Sequence, residues 1–283
     1  MVYFNYNGKI HPEGTPVIGV DNRGLRYGDG LFETIKMIKG KLLFEDDHFA
    51  RLWKGLKVLG FEIPKHLTVD FLQKEIIALA HKNGHENAAR IRLNIVRGDG
   101  GLYDAKNHVP LYIIQSWPLA QGNGEWNSNG LVLGIYEEAK KSCDILSNLK
   151  HNNYLPYVLA ALTAKKEKWN DAILLNTSGR ICDTTIANIF IVKKGVVYTP
   201  SLQEGCVAGV MRRVVIQNMA KSAIELVEKE ISTSELMDAD EVFLTNSIYN
   251  IRWVQGIGDI SFQNSFTHQF FLALEPTILQ NVC

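Results

Sequence analysis

Residues 147–160 read Ser147-Asn-Leu-Lys150-His-Asn-Asn-Tyr154-Leu-Pro-Tyr-Val-Leu-Ala160. A lysine follows an apolar stretch and stands just before asparagines that can cap a helix. The pattern predicts a strand-to-helix corner at Lys150 and a helix over residues 153–168. A lysine fixed at such a corner in a partly desolvated pocket gives up its proton more easily and can act as a Schiff-base nucleophile. Most lysines are solvated surface charges, so position alone does not single this one out.

Working outward, strand and helix patterns alternate along the whole chain. Residues 17–20, 34–38, 90–97 and 111–117 read as strands. Residues 47–59 and 68–82 carry apolar residues at helical spacing with acidic residues near their starts. Residues 1–117 are therefore expected to form a small sheet flanked by two helices. Residues 118–130, Pro-Leu-Ala-Gln-Gly-Asn-Gly-Glu-Trp-Asn-Ser-Asn-Gly, form the densest Gly, Asn and Ser patch and read as an interdomain connection. Beyond it, residues 131–136, 172–176, 188–192, 195–199 and 241–245 are strand-like. A further helix is expected over 208–222, so 131–283 forms the larger domain. The expected class is α/β, in two domains with a ligand cleft between them.

Composition narrows the function classes. The 283 residues are 46% hydrophobic, enough for a substantial core, and 30 Lys plus Arg balance 30 Asp plus Glu. No global field draws nucleic acid or an anionic membrane, which leaves small molecules or further copies of the chain as partners. The first residues lack a basic segment followed by an apolar run, and no stretch reaches the ~18–20 apolar residues of a bilayer span. Cys143, Cys182, Cys206 and Cys283 form no Cys-x-x-Cys pair, which predicts reduced thiols in a cytoplasmic protein.

Several segments carry possible chemistry. Residues 199–212 run from a turn-rich stretch with Gly205 and Gly209 into a helix, and free amides at such a start bind anions. Arg51 lies four residues after Asp47 on a predicted helix, which suits a local ion pair, and its guanidinium equally suits a phosphate. His81 and His85 have the spacing of a metal pair, but Asn83 and Gly84 would end the helix there, so no metal site is expected. The Gly98-Asp-Gly-Gly turn lacks a dinucleotide fingerprint.

Six motifs in order resemble the fold-type IV, class IV aminotransferases. These are pyridoxal 5′-phosphate enzymes that include branched-chain aminotransferases, D-amino-acid aminotransferases and aminodeoxychorismate lyases. The motifs are Asp21-Asn-Arg-Gly-Leu-Arg-Tyr27-Gly-Asp-Gly-Leu-Phe32-Glu-Thr34, His48-Phe-Ala-Arg51-Leu, Asn148-Leu-Lys150-His-Asn-Asn-Tyr154, Gly179-Arg-Ile-Cys-Asp183-Thr-Thr-Ile-Ala-Asn188-Ile-Phe, Gly209-Val-Met-Arg212 and Asp240-Glu-Val-Phe-Leu-Thr245-Asn-Ser247. The resemblance implies a two-domain enzyme with an N-terminal sheet flanked by helices and a barrel-like C-terminal domain. It also implies a homodimer acting on an amino acid and a 2-oxo acid.

Residue by residue, the resemblance makes Lys150 the lysine joined to the cofactor aldehyde and the shuttle of the substrate α-proton. Arg51 matches the phosphate-binding arginine, with Gly209, the amides of Val210 and Met211, and Asn246 and Ser247 completing the cradle. Tyr154 matches the tyrosine that hydrogen-bonds the cofactor phenolate. Asp183 stands where the family usually has a glutamate paired with the pyridine nitrogen, one methylene shorter. Met211 replaces a common threonine and removes a hydroxyl.

The substrate clues conflict. Some relatives carry a carboxylate-binding arginine in the loop where this chain has Leu102, whereas Arg92 stands six residues before Gly98 as in branched-chain enzymes. The apolar Leu102 together with Arg92 implies an L-amino-acid pocket with an apolar side-chain wall, with Phe32 among the substrate-binding residues, and hence transamination of an L-amino acid with an apolar side chain. Thr34, in contrast, resembles the lyases, in which its hydroxyl assists proton transfer. The alternative is therefore release of pyruvate and 4-aminobenzoate from aminodeoxychorismate.

Overall fold

The computed structural model describes residues 1–280, in two compact units. The first comprises Met1–Gln121 with Leu149–Asn153 and the residues from Ile278 onward, and the second Gly122–Asn148 with Tyr154–Thr277. Cys143, Cys182 and Cys206 carry free thiols, while Cys283 lies outside the described residues.

The first unit contains β1 (Tyr3–Tyr6), β2 (Lys9–Pro12), α1 (Arg23–Tyr27), β3 (Gly30–Ile38), β4 (Lys41–Leu42), α2 (Glu45–Val58), α3 (Val69–Lys82), β5 (Ala88–Arg97) and β6 (Pro110–Pro118). Its six strands form one antiparallel sheet in the order β2-β1-β6-β5-β3-β4. Side chains alternate across the strands. Ile35, Met37, Ile91, Leu93 and Ile95 are fully buried on one face, together with Leu52 and Leu56 of α2 and Leu72, Ile76 and Leu79 of α3. Thr68 caps α3 by accepting from Phe71 N at 3.1 Å, a contact worth about 1 kcal/mol. The start of α2 has no side-chain cap and instead carries Glu45, Asp46 and Asp47 against the positive end of its dipole. The strand predicted over residues 17–20 does not form: Pro16 cannot donate to a ladder, and Val20 is left 78% exposed.

The second unit is built on β7 (Leu131–Lys141), α4 (Leu155–Lys166), β8 (Asp171–Asn176), β9 (Ile181–Thr184), β10 (Asn188–Lys193), β11 (Val196–Pro200), α5 (Val210–Lys221), β12 (Leu226–Lys229), α6 (Thr233–Met237), β13 (Glu241–Asn246), β14 (Asn250–Ile257), β15 (Ile260–Ser261) and α7 (Ser265–Gln280). Its mixed sheet runs β12-β11-β10-β13-β14-β7-β8-β9, with β15 beside β14, and curves into a half-barrel. Strands β8 and β10 are apolar at their four central positions because both faces are covered. Leu133, Ile173, Ile189, Val242, Leu244 and Val254 form one core cluster. Tyr136, Ala172 and Leu174 pack with Tyr157, Ala160 and Ala164 of α4 in another. Glu241 caps α7 by accepting from Phe266 N and Thr267 N, each at 2.8 Å. No helix among the described residues is long and apolar enough to cross a membrane.

Candidate active site

Lys150 is positioned by backbone pairing. Because β4 pairs only with Met37 and Ile38, the first half of the β3 edge is left for another segment. Residues 149–153 take it: Phe32 N donates to Lys150 O at 2.9 Å, and Asn152 N donates to Gly30 O at 3.0 Å. Leu31 and His151 form an antiparallel bridge between these bonds. Gly30 allows the close approach on both sides, since a Cβ there would lie 2.7 Å from Asn152 Nδ2 and 2.1 Å from Ile95 O of β5. This corrects two expectations. Lys150 does not follow a strand directly, because β7 ends at Lys141 and turns intervene. Nor does an asparagine side chain cap α4, whose N-cap is Tyr154 with Pro156 in the first turn.

Around Lys150, the first unit gathers Phe32 and Arg92. Lys150 Nζ lies 4.6 Å from the centre of the Phe32 ring, and the Arg92 guanidinium carbon lies 3.9 Å from the same centre. Both cations are thus drawn to one aromatic ring. Thr34 stands opposite Arg92 in the β3–β5 register, on the same sheet face as Phe32 and Lys36. Burial pushes the Lys36 ammonium down to about 8. Leu102 is not brought into this group: it is 68% exposed, and its carbonyl accepts from Tyr27 Oη at 2.7 Å.

Arg51 enters from α2. Its Nε and Nη2 donate to the Glu33 carboxylate at 2.8 and 2.5 Å, and His48 Nδ1 lies 2.7 Å from the same group. Burial alone would raise the Glu33 carboxyl, but the Arg51 charge and hydrogen bonds, with His48, hold it at about 2. His48 is pushed down by its own burial against the pull of Glu33. Arg51, Glu33, Phe32 and Lys150 line one pocket with Leu31, Leu52 and Leu149. Gly55 lets α2 lie close to β3, since its Cβ would meet Leu31 Cδ1 at 2.6 Å.

The second unit holds a separate polar cluster at Asp183, which is 2% exposed. Its Oδ2 accepts from Lys141 Nζ at 3.0 Å, Tyr157 Oη at 2.9 Å and Val207 N at 2.9 Å. Its Oδ1 is buried without a hydrogen-bond partner among the described residues. Tyr154 stacks on Tyr157 at 4.3 Å between ring centres and donates to Thr185 O at 2.8 Å.

The same unit contains the residues expected to cradle phosphate. Gly209 is the N-cap of α5, with Val210 and Met211 buried in its first turn, where amides have no acceptor within the helix. A Cβ on Gly209 would lie 2.0 Å from Asn188 Oδ1, so the backbone passes Asn188 only as glycine. Ser247 follows in the turn after β13, whose geometry comes from Asn246: its Oδ1 accepts from Ile248 N at 2.9 Å and Tyr249 N at 3.0 Å. The Asn246 side chain is thereby engaged in its own turn, and its amide donates to Ile186 O at 3.3 Å.

Sequence reasoning assigned no role to Glu33, His48, Lys36, Lys141 or Tyr157. The first three stand inside quoted motifs or predicted elements, and a charged residue within an otherwise apolar strand was the available signal. The chain's own features suit a phosphorylated pyridine aldehyde. The second unit offers a buried carboxylate oxygen without a partner among the described residues and a helix start where only glycine fits, and the first offers, by itself, a half-buried lysine beside an arginine-lined pocket.

Known proteins agree. The sequence pattern described as amino-transferase class IV matches residues 30–257. An aminodeoxychorismate lyase of Vibrio harveyi is 32% identical over 243 residues, 85% of this chain and 87% of that protein. A Methanocaldococcus jannaschii protein, named provisionally as a branched-chain-amino-acid aminotransferase, is 32% identical over 248 residues, 87% of this chain and 84% of its own. The crystal structure of the branched-chain aminotransferase of Thermoproteus uzoniensis with norvaline shares the fold at a TM-score of 0.89 and 24% identity, covering 99% of this chain and 95% of that one. Other solved structures of this fold include complexes with pyridoxamine 5′-phosphate and a phosphopyridoxyl glutamate. On these grounds the chain belongs to the class IV aminotransferases, the fold-type IV enzymes that use pyridoxal 5′-phosphate.

Proposed function

We propose that this enzyme moves an amino group between an L-amino acid with an apolar, branched-chain-like side chain and a 2-oxo acid. Equal identity to a lyase and to a protein named as a branched-chain aminotransferase leaves the choice to the residues around Lys150. The observation that carries the reading is the stack of Arg92 on Phe32 beside the Lys150 amine. A guanidinium held against an aromatic ring offers a fixed fork for a substrate carboxylate, and the ring itself offers an apolar wall.

Pyridoxal 5′-phosphate supplies an aldehyde that captures the amine and a ring that delocalises the electron pair left on the substrate α-carbon. In this reading Lys150 Nζ would hold that aldehyde and would serve as the acid and base for the substrate α-proton. Arg51, the amides of Val210 and Met211, Ser247 and the Asn246 backbone hold the phosphate. Tyr154, once its hydroxyl turns away from Thr185 O, would donate to the phenolate oxygen, and Asp183 would accept the N–H of the ring. Arg92 orients the substrate carboxylate.

Thr34 supports the second reading, the lyase. It lies directly across from Arg92 on the face that carries Phe32, so its hydroxyl is available for a proton relay. One pair of incubations decides. With L-leucine and 2-oxoglutarate the expected product is glutamate. If glutamate does not form and aminodeoxychorismate gives 4-aminobenzoate and pyruvate, the enzyme is the lyase instead.

A further inference from the structure

We propose that Lys141 is a positioning residue that, with Tyr157, turns the shortened carboxylate of Asp183 toward the cofactor ring nitrogen and biases the shared proton onto that nitrogen. The proposal rests on the reading of Asp183 as the ring-nitrogen partner.

The geometry is one-sided. All three donors that reach Asp183, from Lys141, Tyr157 and Val207, converge on Oδ2. Oδ1 stays buried and without a partner among the described residues. Two of the donors come from different elements, the end of β7 and α4, and Lys141 also donates to the Tyr157 hydroxyl. The carboxylate is thereby held by one oxygen with the other oxygen presented. A side chain one methylene shorter than glutamate has less freedom to find the ring, so a fixed orientation replaces reach.

Lys141 is only 8% exposed, and burial pulls its ammonium down, yet the charge of Asp183 holds it raised. It therefore stands as a cation beside an anion. The Tyr157 phenol and the Cys182 and Cys206 thiols face the same pair, and burial pushes all three up, which keeps them neutral. The ammonium is thus a cation in direct contact with Asp183. It contacts the carboxylate at 3.0 Å through Oδ2, away from the presented oxygen, so its charge acts on the carboxylate more directly than on a ring bound at Oδ1. In a hydrogen bond between the two, the proton moves toward nitrogen.

The test uses the holoenzyme loaded with cofactor labelled with 15N in the ring, and reads the nitrogen resonance at neutral pH. The wild type and Lys141→Arg are expected to give the protonated-ring resonance, while Lys141→Met moves to the neutral-ring position shown by Asp183→Asn. Should Lys141→Met fail to fold, Tyr157→Phe removes one donor to Oδ2 without stranding a charge, and its resonance is expected to move part of the way. The proposal is overturned if Lys141→Met keeps the protonated resonance, if Lys141→Arg loses it, or, where Tyr157→Phe carries the test, if that resonance does not move. A resonance unmoved by Asp183→Asn would overturn the assignment of Asp183 itself, a separable outcome.

Discussion

Glu33 and Arg51 face each other through two parallel hydrogen bonds, at 2.8 and 2.5 Å, between the middle of β3 and the second turn of α2. Glu33 is 1% exposed, and the guanidinium is fixed in plane by the bidentate contact. Strand β3 and helix α2 are thus locked at the point where the arginine also lines the pocket of Lys150.

Glu33→Gln should therefore destabilise the protein in a pH-dependent way. The Glu33 carboxyl sits at about 2 in the fold against 4.5 when free. Its contribution is complete above about 4.5 and is lost as pH falls toward 2, with a size on the order of 3 kcal/mol. Urea unfolding should show a gap of that order between wild type and variant at pH 7, narrowing at pH 3. A gap equal at both pH values would refute the ion-pair account.

Arg92→Leu should separate substrate recognition from cofactor binding. Removing the guanidinium leaves Phe32 and Lys150 in place, so uptake of pyridoxal 5′-phosphate and its absorbance should not change. Turnover of L-leucine, read as kcat/KM, should fall by roughly 100-fold, the scale of a lost bidentate carboxylate contact. Unimpaired turnover would show that the carboxylate is held elsewhere.

How far the sequence reveals this architecture depends on the range of the interactions. Strands β5 and β6 and helices α2 and α3 are legible because period-two and period-3.6 patterns are local properties of chains with one buried face. Residues 17–20 show where locality fails: Val17-Ile-Gly-Val has strand composition but no neighbour to pair with. Lys150 was recognisable by its motif, yet its partner strand lies more than a hundred residues earlier. The contacts of Glu33 with Arg51 and of Lys141 with Asp183 span 18 and 42 positions and cross elements, so no spacing rule exposes them. Aspartate in place of glutamate was visible in the sequence, whereas the lysine behind it became visible only with the fold.

Gly209→Ala tests the helix start. The added Cβ would meet Asn188 Oδ1 at 2.0 Å, and the Asn188 side chain is tied by its amide to Val207 O at 2.8 Å, so it cannot move aside freely. The first turn of α5 must shift, at about 1–3 kcal/mol of stability. Affinity for pyridoxal 5′-phosphate should drop at least ~10-fold if Val210 and Met211 amides hold its phosphate. Retained affinity in a destabilised variant would exclude the phosphate from this turn.

Lys36→Met probes the buried cation on the face of Phe32 and Thr34. Lys36 is 3% exposed, and burial lowers its ammonium from 10.5 to about 8. A lowered lysine value means that the fold resists the charge: stability is highest above pH 10.5, where the lysine is neutral in both states, and falls as pH drops from there through 8. At pH 7 the protonated side chain therefore costs the wild type roughly 3 kcal/mol relative to its neutral form. Lys36→Met removes that cost with similar volume, so it should melt higher than wild type at pH 7, with the difference shrinking toward pH 10. The same lysine stands across from Arg90 in the β3–β5 register, two residues beyond the Thr34–Arg92 pair, so its charge adds to the cationic character of the face. If that charge serves to attract carboxylate substrates, the stabilised variant should also show a raised KM for the 2-oxo acid with kcat little changed. Melting curves at pH 7 and 10 decide the first point. A variant less stable than wild type at pH 7 would show that the contacts of Lys36 outweigh the cost of burying its charge.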